Sequence, residues 1–323
     1  MMEIYFAVAP GKLLLNGNDG YYSAMNGTGG QSGPPRSFCF LSHFMHWNCG
    51  RRCFDLTHRG VIMGILNVTP DSFSDGGRWR DPQIALGHAL SMVEAGAEII
   101  DIGGESTRPG AGVVDAAEET ARVLPIIRAL RERTDALISI DTMKACVARE
   151  ACAAGADIIN DVSGLQDPEM AATAAHFRTG LVIMHMQGRP RTMQQAPVYH
   201  DVLAEVRDAL STGVAQALAA GLPLEFMALD PGIGFGKTTE HNLELLRHLD
   251  SISSHGRPVM LGVSRKSLIG KLLGNMDPVR RDWPTAALTS WTWHKGARIH
   301  RVHDVRASTD ALRMAEAISG SGL

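Results

Sequence analysis

The sequence predicts an α/β protein built as a (β/α)8 barrel (a TIM barrel), and three features of its pattern point to that fold. Short runs rich in Val, Ile and Leu alternate with longer stretches rich in Ala and Leu, as parallel strands alternate with the helices that join them. The alternation occurs eight times, the number that closes such a barrel. Most of the apolar runs also stop at a polar residue, and active sites of these barrels lie at the carboxyl ends of their strands.

The elements can be placed in order along the chain. The predicted strands cover 61–67, 97–102, 137–140, 157–160, 180–184, 226–229, 258–263 and 298–302. The predicted helices cover 81–96, 116–133, 142–155, a short stretch after 168, 199–220, 240–249, stretches after 267 and 284, and 305–318. The first helix has a clear start, because Asp81 is a good N-cap and Pro82 suits the first helical position. No linker or second domain is indicated after residue 54.

The chain is longer than one barrel requires, and the excess lies at its start. It has 323 residues, whereas a barrel of this type needs about 250. Residues 16–35 are rich in Gly, Asn, Ser and Tyr and show no sustained period. We therefore predict two parts: a poorly ordered N-terminal extension or non-native leader over 1–53, and the barrel over 54–323.

Composition narrows the class of protein. Hydrophobic residues make up 45% of the chain and the formal net charge is -3, with no run of like charges. Nucleic-acid and membrane partners are therefore not expected. The five cysteines are an odd number and give no disulfide framework, so a reducing cytoplasm is predicted. Cys146 and Cys152 fall in one predicted helix and are interpreted as small core residues.

Polar residues at three strand ends predict a ring-binding site. Asp141, Asn160 and Asp230 follow strands three, four and six. At a barrel mouth they would offer hydrogen-bond acceptors and an amide to a flat heterocycle that carries amino, N–H and carbonyl groups. The competing interpretation is that each Asp caps the helix that follows it, although three such residues together favour the site.

The last strand and the first one predict an anion site. Arg301 and His303 are two residues apart and would face the same side of a regular strand. A guanidinium and an imidazole there suit a diphosphate, while a salt-bridged arginine beside a buried histidine is the alternative. Asn67 ends the neighbouring strand, and its neutral oxygen together with diphosphate oxygens would suit Mg²⁺.

Loop residues add further candidates. Residues 68–80 and 103–114 form connections longer than the usual two to six residues, so both are candidate lids. Thr107 and Arg108 lie on the second and could close on an anionic ligand, or simply be solvated. Lys266 could donate to a ring carbonyl or extend into solvent, and the glycines of 232–237 could place Phe235 over the site.

These residues lie in motifs that resemble the dihydropteroate synthases. GILNVTPDSFSDGG (64–77) and DIGGESTRPGA (101–111) are similar to the family's two signature loops. Further matches follow in order: SIDT (139–142), INDVSG (159–164), MHMQG (184–188), LDPGIGFGK (229–237), GVSRKS (262–267) and RVHDV (301–305). The resemblance covers roughly 54–318. It implies a transferase of folate biosynthesis that joins 4-aminobenzoate to (7,8-dihydropterin-6-yl)methyl diphosphate and releases diphosphate.

The resemblance also implies a role for each candidate residue. The pterin would be held by Asp141, Asn160, Met184, Asp230 and Lys266. The diphosphate would be held by Asn67, Arg301 and His303, with Asn67 as the Mg²⁺ ligand. The aminobenzoate would be received by Pro70, Phe73, Phe235 and Ser264. The residues expected to act in catalysis are Asn67, Asp101, Thr107, Arg108, Lys266, Arg301 and His303.

Other expectations follow from the same resemblance. The family is a target of sulfonamides, and both signature loops look standard here, so sensitivity is expected. A homodimer is expected through the last helices, where Trp291 and Trp293 could lie at the interface or in the core. Two other functions were weighed: a methyltetrahydrofolate-binding methyltransferase domain and an inactive pterin-binding module. The first has no use for a diphosphate site, and the second would be signalled by loss of Asn67, Lys266 or Arg301, all of which are present.

Overall fold

Ten strands and nine α-helices, with a few short 3-10 turns, lie in the residues that this computed structural model describes, which are 45–69, 82–106 and 112–320. The strands are β1 (His46–Asn48), β2 (Cys53–Asp55), β3 (Val61–Asn67), β4 (Ile99–Gly103), β5 (Leu137–Asp141), β6 (Ile158–Asp161), β7 (Gly180–Met184), β8 (Met227–Asp230), β9 (Val259–Leu261) and β10 (Ala297–Val302). The helices are α1 (Pro82–Glu94), α2 (Ala116–Arg131), α3 (Ala145–Ala153), α4 (Met170–Phe177), α5 (Val202–Ala219), α6 (Thr239–Arg247), α7 (Ser267–Leu272), α8 (Asp282–His294) and α9 (Val305–Ile318).

Strands β3 to β10 form a closed barrel in which each strand pairs with its neighbours in chain order and β10 pairs with β3. All of these pairs are parallel. The predicted (β/α)8 fold is confirmed. The predicted bounds of β3, β7 and α9 coincide with the observed ones, and β9 is shorter than predicted.

Alternation along the strands divides the barrel into an inner and an outer face. Residues at one parity point outwards, and Ile62, Ile100 and Ile138 among them belong to the large core that also contains the helices' apolar residues. Residues at the other parity fill the lower interior as a separate apolar cluster, which we call the floor. Its strand residues are Val61, Met63, Ile99, Leu137, Ile158, Val182, Ala228, Met260 and Ile299.

A short antiparallel hairpin, β1 and β2, packs under the floor. Trp47 on β1 is fully buried, and its indole Nε1 donates a hydrogen bond to the carbonyl of Phe226 at 3.0 Å. Trp47, Cys49 and Phe54 belong to the floor's apolar cluster. Residues 45–53 therefore lie in the barrel's body, although the sequence had placed them in the extension. The hairpin escaped prediction because its two strands have three residues each, too few to show a period.

One prediction about helical residues is wrong, and two tryptophans whose environment the sequence left open are found to differ. Cys146 on α3 is exposed and only Cys152 is buried, so Cys146 is not a core residue. On α8, Trp293 is buried and Trp291 is 41% exposed, so the two tryptophans do not share one environment. Among the described helices, none combines the length and the apolar character that crossing a membrane requires.

Replacement of Trp47 tests whether the hairpin stabilises the barrel. We expect Trp47→Ala to lower the free energy of unfolding by about 3–5 kcal/mol, because a large buried ring is lost and its cavity stays only partly filled. Trp47→Phe retains an aromatic ring and removes the hydrogen bond to Phe226, so a loss of about 1–2 kcal/mol is expected. Urea unfolding would measure both values. An unchanged midpoint for Trp47→Ala would show that the hairpin does not contribute.

Candidate active site

The inward side chains at the carboxyl ends of the strands meet above the floor. Their positions follow from alternation: two residues beyond each apolar floor residue, the next inward side chain is polar on several strands. Asp101 follows Ile99 in this way on β4, and Asn160 follows Ile158 on β6. By the same alternation, other side chains point inward at or just beyond the ends of their strands. These are Asn67, Asp141, Met184, Asp230, Ser264, Arg301 and His303.

Arg301 on β10 links the carboxylates of two other strands. Its Nε donates to Asp101 Oδ2 at 2.6 Å, and its Nη2 donates to Asp141 Oδ2 at 2.5 Å. Burial opposes the charge of this guanidinium, but the Asp101 and Asp141 carboxylates hold its pKa above the ordinary value. Burial raises the pKa of Asp141 to about 7, against the opposing effect of Arg301. The interior thus holds two buried carboxylates around one cation.

Hydrogen-bond acceptors line the space around this ion pair. Asn160 Nδ2 donates to Asp101 Oδ2 at 3.1 Å, which turns the amide oxygen of Asn160 away from that carboxylate. Within the described parts of the chain, Asp101 Oδ1, Asp141 Oδ1 and Asn160 Oδ1 are buried without a hydrogen-bond partner. Buried acceptors are costly unless they are paired. They are therefore suited to a ligand that brings several N–H donors.

Asp230 and Lys266 face each other on the opposite side of the mouth. Asp230 Oδ1 accepts a hydrogen bond from the Gly232 N–H at 2.7 Å, and burial raises the pKa of this carboxyl. Lys266 donates to the carbonyl of Ile233 and lies 4.5 Å from the centre of the Phe235 ring. Burial lowers the pKa of Lys266 to about 8, while Asp230 favours its charge. Lys266 therefore points into the site and is not a solvated surface lysine.

An apolar cluster, which we call the methionine wall, lies beside these polar groups. Met184 is buried in a small cluster rich in methionine, which is separate from the barrel's large core. The other members are Val162, Met186 and Met193, with Met143 and Phe235 packed against them. Polarisable thioethers and an aromatic ring suit the face of a flat heterocycle. Except for Met184 and Phe235, these residues are not predictable from the sequence, because methionines in loops carry no strand-end signal.

Ser264 and His303 contact each other between β9 and β10. The hydroxyl of Ser264 lies 2.9 Å from Nδ1 of His303 and accepts the backbone N–H of His303 at 3.1 Å. These two contacts fix the imidazole ring next to the strand that carries Arg301. Ser264, which the resemblance assigns to aminobenzoate, therefore lies beside the residues assigned to the diphosphate.

Asn67 and Asp141 approach the same glycine. In the barrel's register Gly103 pairs with Asn67 on one side and with Asp141 on the other. A Cβ on Gly103 would lie 3.6 Å from Asn67 Oδ1 and 3.7 Å from Asp141 Oδ2, so the missing side chain leaves both oxygens facing one space. An amide oxygen near a carboxylate suits a hard cation such as Mg²⁺. The amide oxygen of Asn67 therefore fits the predicted ion, whereas Asp141 Oδ2 is taken by Arg301.

Hydrogen bonds hold the described ends of the second long loop (103–114) to residues in or next to helices. Lys144 donates to Glu105 at 2.5 Å and to the fully buried Glu119 of α2 at 2.6 Å. Glu105 also accepts the N–H of Val114 at 3.1 Å, and Arg122 donates to the carbonyl of Gly104 at 2.8 Å. Four candidates lie outside the described residues: Pro70, Phe73, Thr107 and Arg108. Lys144 was missed because it follows a strand end by three positions.

Comparison with known proteins identifies the family. A family model described as "Pterin binding enzyme" matches residues 63–303. A dihydropteroate synthase from Synechocystis is 48% identical over 270 residues, which are 83% of this chain and 93% of that protein. The solved Yersinia pestis dihydropteroate synthase, in a sulfonamide drug complex, has a TM-score of 0.81 and 43% identity over 85% of this chain and 100% of that one. The Xanthomonas albilineans enzyme with 4-aminobenzoic acid has a TM-score of 0.80 and 43% identity over 85% and 98%. The chain therefore belongs to the dihydropteroate synthases, within the pterin-binding enzymes.

Proposed function

We propose that this chain joins 4-aminobenzoate to (7,8-dihydropterin-6-yl)methyl diphosphate, giving 7,8-dihydropteroate and diphosphate in folate biosynthesis. The observation that carries the proposal is the bond from Arg301, itself proposed for the anion, to Asp141, the carboxylate proposed for the pterin. Residues on one side of the mouth would then bind the pterin ring, and residues on the neighbouring side would bind the diphosphate leaving group. The relative solved with 4-aminobenzoic acid supports the second substrate.

The ring would lie against the methionine wall and among the acceptors. Asp141 and Asn160 have buried oxygens without partners among the described residues, which would accept from the pterin's amino and N–H groups. Asp230 would accept on the far side, while Lys266 would donate to the ring carbonyl. Met184 would contact the face of the ring. Asp101 would act through Arg301 by holding its guanidinium in place.

The anion would bind among Arg301, His303 and Asn67, which lie on or just beyond the paired strands β10 and β3. A guanidinium has five N–H donors, and the bonds to Asp101 and Asp141 use two, so others can reach phosphate oxygens. Ser264 would keep the His303 ring oriented towards the same oxygens. Asn67 would hold Mg²⁺, which when bound neutralises charge on the departing diphosphate.

The reaction itself is a displacement at the methylene carbon. The carbon–oxygen bond to diphosphate breaks, the carbon–nitrogen bond to the arylamine forms, and the amine loses a proton. Because the electron-rich ring can stabilise positive charge at that carbon, we propose that bond breaking runs ahead of amine attack. Phe235 would receive the aminobenzoate, together with Ser264, Pro70 and Phe73. Thr107 and Arg108 would come in with the second loop and help to exclude water.

Product formation tests the proposal directly. The purified chain, incubated with dihydropterin diphosphate, 4-aminobenzoate and Mg²⁺, is expected to release dihydropteroate and diphosphate. Arg301→Lys keeps a positive charge but cannot bridge Asp101 and Asp141 as the guanidinium does, so kcat/KM should fall at least about a hundredfold. Arg306→Lys, on exposed α9 surface, is the matched control and should behave as wild type. Wild-type rates for Arg301→Lys would remove Arg301 from the site.

The pKa of Asp141 gives a pH prediction for binding. Burial raises that pKa to about 7, so the free protein holds a proton there below that pH. The pterin's N–H donors need the ionised carboxylate, so affinity for 6-hydroxymethylpterin should fall as pH drops below about 7, by up to about tenfold per unit. Calorimetry from pH 5.5 to 7.5 would measure it. Asp141→Asn should bind more weakly and show little pH dependence; the wild-type slope in that variant would contradict the assignment.

A homodimer, a cytoplasmic location and sulfonamide sensitivity belong to the same proposal. Helices α8 and α9 pack together, and their outer face exposes large apolar side chains. These are Trp283, Trp291, Met314 and Ile318.

The four described cysteines are free thiols, which agrees with a reducing compartment. The drug complex of the Yersinia pestis relative supports competition by sulfonamides for the aminobenzoate position.

A charge on the α8–α9 face tests the dimer. We expect Met314→Glu, 60% exposed in the single chain, to be tolerated by the fold but to place a charge in the interface. Sedimentation at micromolar concentration should show a dimer for the wild type and a monomer for the variant. Leu218→Glu on α5, 47% exposed, is the matched control and should stay dimeric. A monomeric wild type would exclude the dimer.

A further inference from the structure

A buried lysine outside the predicted set lies at the end of the loop between β8 and α6. Lys237 is 3% exposed, and lysine is rarely buried to this extent unless it is paired. Its Nζ lies 2.9 Å from Nδ1 of His185, 3.0 Å from the carbonyl of Phe235 and 3.3 Å from the carbonyl of His185. An ammonium group has three N–H donors, so these three acceptors match it fully.

His185 supplies two of the three acceptors. Burial, with the charge of Lys237 as a second cause, lowers the pKa of His185 to about 3, so the imidazole is neutral and Nδ1 can accept. The N–H of His185 donates to the carbonyl of Asp230 at 3.0 Å. A Cβ on Gly232 would lie 1.9 Å from the carbonyl of His185, so the two loops touch more closely than any residue but glycine permits. Lys237 thus fastens the loop after β8 to the end of β7.

The loop that Lys237 fastens is held along its whole backbone. Each successive carbonyl from 232 to 236 accepts a hydrogen bond from a different donor. The donors, in order, are the N–H of Phe235 at 3.0 Å, Lys266, Gln194 at 2.6 Å, Lys237 at 3.0 Å and the hydroxyl of Tyr199 at 2.8 Å. Phe235 lies at the centre of this loop. Its ring contacts Lys266, and its carbonyl is bound by Lys237.

We propose that Lys237 is a positioning residue for the amine substrate: by binding His185 and the Phe235 carbonyl, it fixes the Phe235 ring beside Lys266. The proposal rests on the proposed function, in which Phe235 receives aminobenzoate. Lys237 acts through Phe235 and touches no substrate, since all of its N–H groups are taken by protein acceptors. Of the residues proposed for the pterin, Asp141 and Asn160 lie on other strands, while Asp230 and Lys266 bond to Gly232 and Ile233, to which Lys237 makes no hydrogen bond.

The test separates aminobenzoate from pterin. Lys237→Met keeps the length of the side chain and removes all three hydrogen bonds, so the KM for aminobenzoate should rise about tenfold. At saturating aminobenzoate, kcat should stay within about threefold, and the Kd of 6-hydroxymethylpterin within about twofold. Lys237→Gln retains two donors and should give a smaller rise in KM. Lys271→Met, on exposed α7 surface, is the matched control and should leave every value unchanged.

The contrary results are equally distinct. If Lys237→Met weakens pterin affinity as much as it raises the aminobenzoate KM, Lys237 has a general structural role. If it changes neither value, Lys237 has no role. Either result overturns the proposal. If Lys237→Met does not fold, Lys237→Gln decides by the same criteria. Phe235→Ala tests the proposed function separately: an unchanged aminobenzoate KM there would remove Phe235 from the substrate site, whatever Lys237 does.

Discussion

The bridge from Arg301 to Asp101 and Asp141 is the interaction on which the site depends. Two carboxylates buried in a barrel interior would repel each other and would be costly to ionise without a nearby cation. The guanidinium offsets this cost and spans three strands, β10, β4 and β5. Breaking such a buried pair by removing one partner typically costs about 3–5 kcal/mol. The same group therefore keeps in place the carboxylate proposed to bind the ring and presents positive charge where diphosphate is proposed to leave.

The floor beneath the bridge determines how strongly these charges act. Its residues are apolar on every strand of the barrel, and the hairpin with Trp47 covers them from below. The floor and the hairpin therefore shield the polar groups from water on that side. In a setting of low polarity each hydrogen bond and ion pair is stronger, and each unpaired acceptor is more costly. For this reason Asp141 and Asn160 would favour a ring with N–H donors over a ring without them.

Much of this could be predicted from the sequence, because one regularity governs both fold and site. Strand alternation places every second residue inward, so Asn67, Asp101 and Asp141 could be assigned to one mouth before any coordinates were known. Tertiary contacts were not predictable in this way. Neither the pairing of Arg301 with both aspartates nor the contact between Ser264 and His303 follows from spacing, because spacing gives the order of the strands and not which side chains meet at the mouth. The hairpin and the methionine wall lacked any period that could reveal them.

Lys237 and Lys266 show why residue type alone does not define a role. Both lie within or beside the loop around Phe235, and burial lowers the pKa of both, while Asp230 favours their charged forms. Lys237 gives all three of its N–H groups to protein acceptors, whereas Lys266 makes one hydrogen bond within the described chain, to the Ile233 carbonyl, and faces Asp230 and the Phe235 ring. A lysine with its donors fully used holds structure in place. A lysine with donors to spare can bind a substrate: Lys266 contacts the Phe235 ring, whereas Lys237 binds the Phe235 carbonyl.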